Sequence, residues 1–295
     1  MKSHDESRRV EIRSPLDGTT QCATLRLPEN GRRGPLPLVI APHPFGWSVE
    51  GDYQGGCPGL KAAEHRGWLD VASDWKIAVL QPEGHHRAVP GCSMGYEGVV
   101  RDAPVWIDAV GDAAGVDRDR VYACGLSMGA LEALLMAGSR PDLFAAAFAF
   151  NPVVDTRAWQ EDLARTTNAE LRAEGSDRLI GQEVGGLPDE VPEAYAPRSA
   201  FAVLDGLSKV PLTIWWSPVD LVVPRQAECH GKRLYDELKR LDPNAPVIEY
   251  EHSPRYGLPA APTDDQRWAV HETSDYRLAT DWLLLHRRHS GLVGG

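Results

Sequence analysis

The chain has 295 residues, of which 42% are hydrophobic and 25% are charged, and it carries a formal net charge of −11 at pH 7. This composition predicts a globular protein with a hydrophobic core rather than a disordered chain. The acidic balance argues against nucleic acid or an anionic membrane surface as a partner. No apolar run approaches the ~20 residues of a membrane span, and the charged first residues lack the apolar core of a signal peptide.

The five cysteines are scattered along the chain, at Cys22, Cys57, Cys92, Cys124 and Cys229. Their number is odd, and no two of them have the C-x-x-C spacing of a zinc or redox site. This pattern predicts neither a disulfide framework nor a metal centre. We therefore expect reduced cysteines and a cytoplasmic protein.

Predicted strands and helices alternate along most of the chain. The strands are short apolar or β-prone runs, at residues 10–12, 21–27, 36–41, 77–81, 121–124, 144–150, 212–216 and 247–252. The helices show helical periodicity or strong helix formers, at residues 60–75, 105–110, 130–137, 226–241 and 275–288. A turn with proline and glycine joins the first two strands into an antiparallel hairpin. The repeated βα units predict an α/β fold with a doubly wound, mainly parallel sheet, which binds ligands at the carboxyl ends of its strands.

The most informative motif is a G-x-S-x-G pattern at residues 125–129, with Ser127 at its centre. A β-prone run precedes the motif, and strong helix formers follow it. A strand, a tight turn and a helix lift a serine hydroxyl above a sheet, at a helix N-terminus that favours developing negative charge. This context predicts that Ser127 is a nucleophile.

The same pattern occurs at residues 91–95, around Ser93. The segment before it is polar and broken by Pro90, so that no strand leads into the motif. No helix is expected to follow at once at residues 96–98. Because the nucleophile motif needs its strand–turn–helix context, we interpret Ser93 as a loop residue.

Residues 151–207 interrupt the alternation, because they are too many for one crossover helix. They contain predicted short helices at 157–165 and 169–173, followed at 181–197 by a segment rich in glycine, proline and acidic residues. A long excursion beyond the carboxyl end of a strand is typical of a cap over an active site. We expect a single domain over 1–295 that contains this cap, and a surface insertion without a role in binding is the alternative.

In these motifs the chain resembles the α/β-hydrolase superfamily, and within it the catalytic domain of prolyl-oligopeptidase-like and dienelactone-hydrolase-like enzymes. Ser127 matches the nucleophile elbow, and residues 116–122 resemble the lead-in to it. Residues 183–188 and 195–200 are similar to the segment that such proteins place before the acid-bearing strand. The resemblance covers about residues 35–290 and leaves no room for a β-propeller. It implies the α/β-hydrolase fold and a serine hydrolase.

The catalytic acid is predicted from the chain order of Ser, Asp or Glu, and His that this fold uses. Asp220 follows the predicted strand at 212–216 and therefore stands at a carboxyl end of the sheet. The D-x-x-V-P pattern that begins at Asp220 resembles the acid loop of the family. In this role Asp220 orients the histidine and stabilises its protonated form. A turn-forming aspartate is the alternative.

Two histidines compete for the role of the base. His252 ends the last predicted strand, whereas relatives hold their histidine beyond this strand, in the loop that leads into the final helix. His271 lies just before Ser274, the predicted cap of that helix. Choosing His271 requires an insertion at 253–267. We favour His271, and His252 stays open as the alternative base.

The oxyanion hole needs two backbone N–H donors. One is expected from Met128, directly after the nucleophile, and the other from the loop after the strand at 36–41. Pro44 in this loop has no N–H, so that Phe45 is the expected second donor, with Gly46 next.

These residues predict a serine hydrolase that cleaves a carboxylic ester, or a small amide or peptide, through an acyl-enzyme. Acyl transfer or cyclisation by the same triad and a non-catalytic ligand-binding homologue are the alternatives. We expect a small-molecule partner and no organic or metal cofactor, with a homodimer as an open alternative to a monomer. Six aromatic residues are candidates for the substrate pocket: Trp47, Tyr53, Trp159, Tyr195, Trp215 and Trp216.

Overall fold

A computed structural model describes residues 6–28, 34–45, 66–254 and 258–288 of the chain. Within these residues, eight strands form one sheet in the order β1-β2-β4-β3-β5-β6-β7-β8. They are β1 (Glu6–Arg13), β2 (Thr20–Leu27), β3 (Leu36–Ile40), β4 (Ala78–Pro82), β5 (Val116–Leu126), β6 (Ala146–Phe150), β7 (Leu212–Trp216) and β8 (Val247–Glu251). The predicted opening hairpin is confirmed by the antiparallel pairing of β1 with β2. Strand β2 is also antiparallel to β4, and every later pairing is parallel, as the sequence predicts.

Helices cover both faces of this sheet. In the described residues they are α1 (Arg66–Trp75), α2 (Glu97–Ala114), α3 (Met128–Ser139), α4 (Thr156–Leu163), α5 (Ala169–Glu174), α6 (Ser176–Val184), α7 (Pro192–Tyr195), α8 (Leu204–Leu207), α9 (Gln226–Cys229), α10 (Gly231–Leu241), α11 (Asp264–His271) and α12 (Tyr276–Leu283). Side chains of β5 alternate between the faces, as the two-residue period of a strand requires. Val121 and Ala123 pack with α2, α3 and α10, whereas Tyr122 and Cys124 pack with α1 and α12. The sheet therefore has a hydrophobic core on each side.

Helix α2 differs from its prediction. The helix expected at 105–110 begins already at Glu97, directly after the second G-x-S-x-G pattern. The expectation that no helix follows this motif is therefore wrong. The start of this helix is not predicted from the sequence because Gly98 and Pro104 are both poor helix formers. Glycine is needed at position 98, since a Cβ there would lie 2.2 Å from Nδ1 of His85.

The segment between β8 and the last helix also differs. It was expected to be a loop up to residue 274, but the chain folds into α11 from Asp264, after a capping box formed by Thr263 and Gln266. His271 is the last residue of that helix rather than a loop residue. The cap of α12 is Asp275, whose side chain accepts a hydrogen bond from the N–H of Leu278, and not Ser274.

The segment between β6 and β7 is more helical than its composition indicates. Helices α4 to α8 occupy it, together with 3-10 turns at Ala196–Arg198 and Ala200–Val203. The carboxylate of Glu183 on α6 accepts hydrogen bonds from the backbone N–H groups of Arg87, Ala88 and Val89, at 2.6, 2.6 and 2.8 Å. These bonds attach the insertion to the loop that follows β4.

One expectation about the cysteines is wrong. Cys22 is disulfide-bonded, whereas Cys92, Cys124 and Cys229 are free and buried. A disulfide joins residues that the fold brings together, so that the spacing of cysteines in the sequence did not reveal it. The cytoplasmic location stays a prediction. No helix in the described residues is long and apolar enough to span a bilayer.

Candidate active site

Ser127 lies at the sharp turn between β5 and α3, at the carboxyl end of the sheet. Its φ and ψ are 58° and −121°, a backbone conformation that non-glycine residues rarely adopt. The two flanking positions have no room for a side chain. A Cβ at Gly125 would lie 2.2 Å from the carbonyl oxygen of Gly129. A Cβ at Gly129 would lie 2.2 Å from the carbonyl oxygen of Pro42. The turn is therefore strained and closely packed, as a nucleophile elbow is.

Asp220 and His271 form a buried hydrogen-bonded pair. The Oδ2 atom of Asp220 lies 2.8 Å from Nδ1 of His271, although 51 residues separate them in the sequence. The other carboxylate oxygen, Oδ1, accepts hydrogen bonds from the N–H groups of Val222 and Val223 at 2.9 and 3.0 Å. Because the carboxylate accepts the proton on Nδ1, Nε2 of His271 carries the lone pair that a general base needs.

His252, the alternative base, lies in a different arrangement. Its Nε2 atom donates a hydrogen bond to Oδ1 of Asn151 at 3.1 Å. Burial, together with the nearby His271, lowers the pKa of His252, although Asp220 acts in the opposite direction. The described structure therefore pairs His271, and not His252, with the carboxylate of Asp220.

Asn151 connects these residues to the elbow. Its side-chain amide donates to the carbonyl oxygen of His271 at 2.6 Å. Two residues close to it in the sequence bond to the backbone of Ser127. The N–H of Ser127 donates to the carbonyl oxygen of Phe150 at 3.0 Å, and the N–H of Val153 donates to the carbonyl oxygen of Ser127 at 3.2 Å. No motif in the sequence contains Asn151. Its one signal is that it is a polar residue placed directly after the buried strand β6.

The expected oxyanion donors lie on two neighbouring elements. Met128 is the first residue of α3, and the N–H groups of a first helical turn have no partner within the helix. The loop after β3, which contains Phe45, passes next to the elbow, since Pro42 approaches Gly129 so closely. The ring of Phe45 packs against that of Trp159 on α4, with ring centroids 5.6 Å apart and planes at 85°. Gly46, the other expected donor, lies outside the described residues.

Ser93 is a fully buried loop residue, and its hydroxyl donates to Oε1 of Glu132 on α3. Burial raises the pKa of Glu132 to about 7, against the hydrogen bonds from Ser93 and the Gly95 backbone. Arg198 of the insertion donates to the carbonyl oxygen of Ser93 at 2.8 Å and lies 3.8 Å from the carboxylate of Glu183. The sequence does not reveal this polar network, because its members come from three separate segments.

The loop after β4 contains His85, which pairs with two carboxylates other than that of Asp220. His85 is buried between Asp102, at 2.8 Å from Nδ1, and Asp17, at 3.3 Å from Nε2, and these carboxylates raise its pKa against the effect of burial. Arg87 donates from Nε to the carbonyl oxygen of Glu183 at 2.7 Å. In the described residues, no group of three or more His, Cys, Asp or Glu side chains is arranged to hold a metal ion.

The aromatic candidates separate into different environments. Trp159 donates from Nε1 to the carbonyl oxygen of Val222 at 2.9 Å, so that it contacts both the acid loop and Phe45. Tyr195 is buried and bonds to the carbonyl oxygen of Gly186, within the insertion. Trp215 stacks on Tyr250, and Trp216 donates to Glu249, both of them residues of β8. Trp47 and Tyr53 lie outside the described residues.

Residues 96–245 match the sequence model of the prolyl oligopeptidase family. The match covers half of the chain and includes the elbow and Asp220. The chain belongs to the prolyl oligopeptidase family. The predicted resemblance to this family is therefore confirmed, and the described sheet with its helices is the α/β-hydrolase fold.

Solved structures share the fold. The acylaminoacyl peptidase of Pyrococcus horikoshii has a TM-score of 0.62 and 18% identity, over 85% of this chain and 38% of its own. An S-formylglutathione hydrolase from Staphylococcus aureus has a TM-score of 0.60 and 18% identity, over 96% of this chain and 100% of its own. An S-formylglutathione hydrolase from Agrobacterium tumefaciens has a TM-score of 0.58 and 15% identity, over 95% of this chain and 94% of its own. This chain therefore spans about two fifths of the peptidase, and all or nearly all of the two hydrolases. No curated protein sequence matches it.

Proposed function

We propose that this enzyme cleaves a carboxylic ester, or a small amide or peptide, with Ser127 as nucleophile, His271 as base and Asp220 as acid. The observation that carries the proposal is the buried hydrogen bond of 2.8 Å between Asp220 and His271, at the edge of the sheet where the strained turn places Ser127. The carboxylate holds the imidazole in the tautomer that can accept the serine proton.

The reaction proceeds in two steps. In the first, the Oγ atom of Ser127 attacks the substrate carbonyl and its proton passes to Nε2 of His271. The bond to the leaving alcohol or amine breaks, and the leaving group takes that proton. In the second step a water molecule gives a proton to His271 and attacks the acyl carbon, so that the acid is released and Ser127 regains its hydrogen. The N–H groups of Met128 and Phe45 would hold the oxyanion in both steps, at ~2.7–4 kcal/mol for each donor.

The insertion over 151–207 is proposed to form a cap over this site. The support for this role is Trp159, which joins α4 both to the acid loop, through the carbonyl oxygen of Val222, and to the ring of Phe45. The same contacts bring an apolar ring next to the position that an acyl group would occupy.

Labelling with a fluorophosphonate tests the nucleophile. The reagent is expected to react at Ser127, and Ser127→Ala is expected to abolish labelling while Ser93→Ala preserves it. Peptide mapping identifies the modified serine. An adduct on Ser93 would contradict the assignment, and the absence of any adduct would favour the non-catalytic alternative. Product analysis with a competing alcohol distinguishes hydrolysis from acyl transfer.

A further inference from the structure

A cleft of ≈ 240 Å³ opens beside the proposed triad, between the end of α4, the acid loop and α11. Leu163, Leu221 and Val222 contribute apolar surface to it, and Arg165 and Arg267 are the cationic residues in its lining. The proposed reaction does not use this cleft.

The walls of the cleft are continuous with the proposed active site. The N–H of Val222 donates to Oδ1 of Asp220 at 2.9 Å. On α11, Arg267 precedes His271 by four residues, and on α4, Leu163 follows Trp159 by four residues. Side chains four residues apart in a helix lie on the same face, about 5–6 Å from each other. A group in the cleft therefore lies about one helical turn from the base.

The acidic residues near the cleft are already paired. Asp162 forms hydrogen-bonded contacts of 2.8 and 2.9 Å with the guanidinium of Arg225. Asp264 accepts a hydrogen bond from the N–H of Ala169 at 3.0 Å and lies 3.5 Å from Nη1 of Arg267. The lining of the cleft therefore holds two guanidinium groups and one carboxylate, that of Asp162, which is paired with Arg225 outside the lining, in a chain whose net charge is −11.

Arg267 has unused hydrogen-bonding capacity. Its side chain is only 15% exposed, and among the described residues its buried Nε atom has no hydrogen-bond partner. A buried donor without an acceptor costs free energy, and a ligand with suitable oxygens would reach the guanidinium group through the exposed part of the side chain. A guanidinium matches the two oxygens of a carboxylate in a bidentate geometry.

We propose that this cleft binds a carboxylate of the substrate through Arg267, with Arg165 at its exposed side, and thereby selects esters or amides that carry a free acid near the scissile bond. The inference rests on the proposed function, and names the substrate class of that site. The carboxylate belongs either to the acyl part or to the leaving group, and the chemistry of its recognition is the same.

Matched esters test this selection. We expect the kcat/KM of p-nitrophenyl hemiglutarate, with its carboxylate on the acyl side, to exceed that of p-nitrophenyl valerate by about tenfold or more. The second pair, 4-acetoxybenzoate and 4-methylphenyl acetate, places the carboxylate on the leaving group. One of the two pairs should show the preference. Equal values within both pairs would overturn the proposal.

Three arginine variants assign the preference to the cleft. Arg267→Gln should lower kcat/KM for the preferred anionic ester about tenfold and that of its neutral partner less than about twofold. Arg165→Gln, at an exposed position, should lower the same preference about threefold without loss of thermal stability. Arg172→Gln, on exposed α5 outside the cleft, is the control and should change neither. A parallel loss on anionic and neutral esters would contradict the proposal.

A binding measurement separates this proposal from the proposed function. Calorimetry on the Ser127→Ala protein uses the class of compound that the ester pairs favour. For the acyl side it should detect monomethyl glutarate and not dimethyl glutarate, and for the leaving group 4-acetoxybenzoate and not 4-methylphenyl acetate. Arg267→Gln should abolish the signal. If wild-type Ser127 fails to react with the fluorophosphonate while this binding is present, the proposed catalysis is wrong and the anion site is retained. If Ser127 reacts but no Arg267-dependent binding is found, the anion site alone is wrong.

Discussion

The side-chain amide of Asn151 donates a hydrogen bond of 2.6 Å to the carbonyl oxygen of His271, and its oxygen accepts one of 3.1 Å from His252. Asn151 has a φ of 37°, in the left-handed region that asparagine tolerates better than most residues. One buried side chain at the end of β6 thus holds both histidines, and places the C-terminal end of α11 against the strand next to the elbow.

Removing the side chain of Asn151 is expected to displace the imidazole of His271, which itself stays in place as the base. Asn151→Gly keeps the backbone conformation available, because glycine adopts positive φ readily, but loses both hydrogen bonds. We expect kcat for an ester to fall about 10- to 100-fold with little change in KM, since a small displacement of the imidazole weakens proton transfer. Steady-state kinetics measures both. Asn168→Gly, at another buried asparagine, is the control and should leave kcat within about twofold of the wild type. If Asn151→Gly lowered only the thermal stability and not kcat, Asn151 would have a structural role alone.

The two histidines are expected to differ sharply in catalysis. His271→Ala should lower kcat by ~10³-fold, the scale of a lost general base. His252→Ala removes a partner of Asn151 and should cost about tenfold or less, together with some thermal stability. Kinetics and thermal unfolding of both variants give the comparison. The opposite order would assign the base to His252 and leave the Asp220–His271 pair as a structural contact.

Trp159 is expected to influence the choice of acyl group, because its ring lies between Phe45 and the acid loop. Trp159→Ala should change the ranking of p-nitrophenyl esters of increasing chain length, by an amount equivalent to ~1–3 kcal/mol, while the reaction of Ser127 with a small phosphonate persists. Tyr195→Ala is the matched variant, since this buried ring bonds within the insertion through Gly186. It should lower stability and preserve the ranking. An unchanged ranking in both variants would contradict a cap that selects substrates.

The buried carboxyl of Glu132 predicts a pH dependence of stability. Burial raises its pKa from 4.5 to about 7 in the folded protein, so that the folded state keeps a proton which the unfolded state releases. The stability from this group is fully present below pH 4.5 and is lost as the pH rises through 7, by about 3 kcal/mol in total. Urea unfolding at pH 5 and pH 8 measures the change.

Glu132→Gln is expected to remove this loss, so that the variant gains stability over the wild type at pH 8 relative to pH 5. Other shifted groups set the pH dependence that remains in this variant. Burial raises the pKa of Glu83 to about 7, which acts in the same direction as Glu132, and lowers the pKa of His252, which acts in the opposite direction. Glu193→Gln, at an exposed carboxyl, should keep the wild-type difference in unfolding free energy between pH 5 and pH 8. If the unfolding free energy changed equally between pH 5 and pH 8 in Glu132→Gln and in the wild type, Glu132 would not titrate in this range.

The sequence by itself determined the elements of the fold that depend on local patterns. Alternating apolar runs and helical periodicity predicted the strands and the parallel sheet, because the period of side chains follows directly from backbone geometry. The strand, tight turn and helix around Ser127 predicted the elbow, and a buried strand before Asp220 predicted the edge of the sheet at which it lies. Where local residues were misleading, as at Gly98 and Pro104, the extent of α2 was missed.

Only the tertiary structure decided which side chains meet. The partner of Asp220 depends on α11, a helix whose end brings His271 back across the sheet, and on Asn151, which joins that end to β6. Hydrogen bonds between residues so far apart in the sequence follow from the packing of whole helices and strands. The hydrophobic periodicity of the sequence therefore does not predict them. For the same reason the burial of Glu132 against Ser93, and the pairing of acids around Arg267, were decided by the fold.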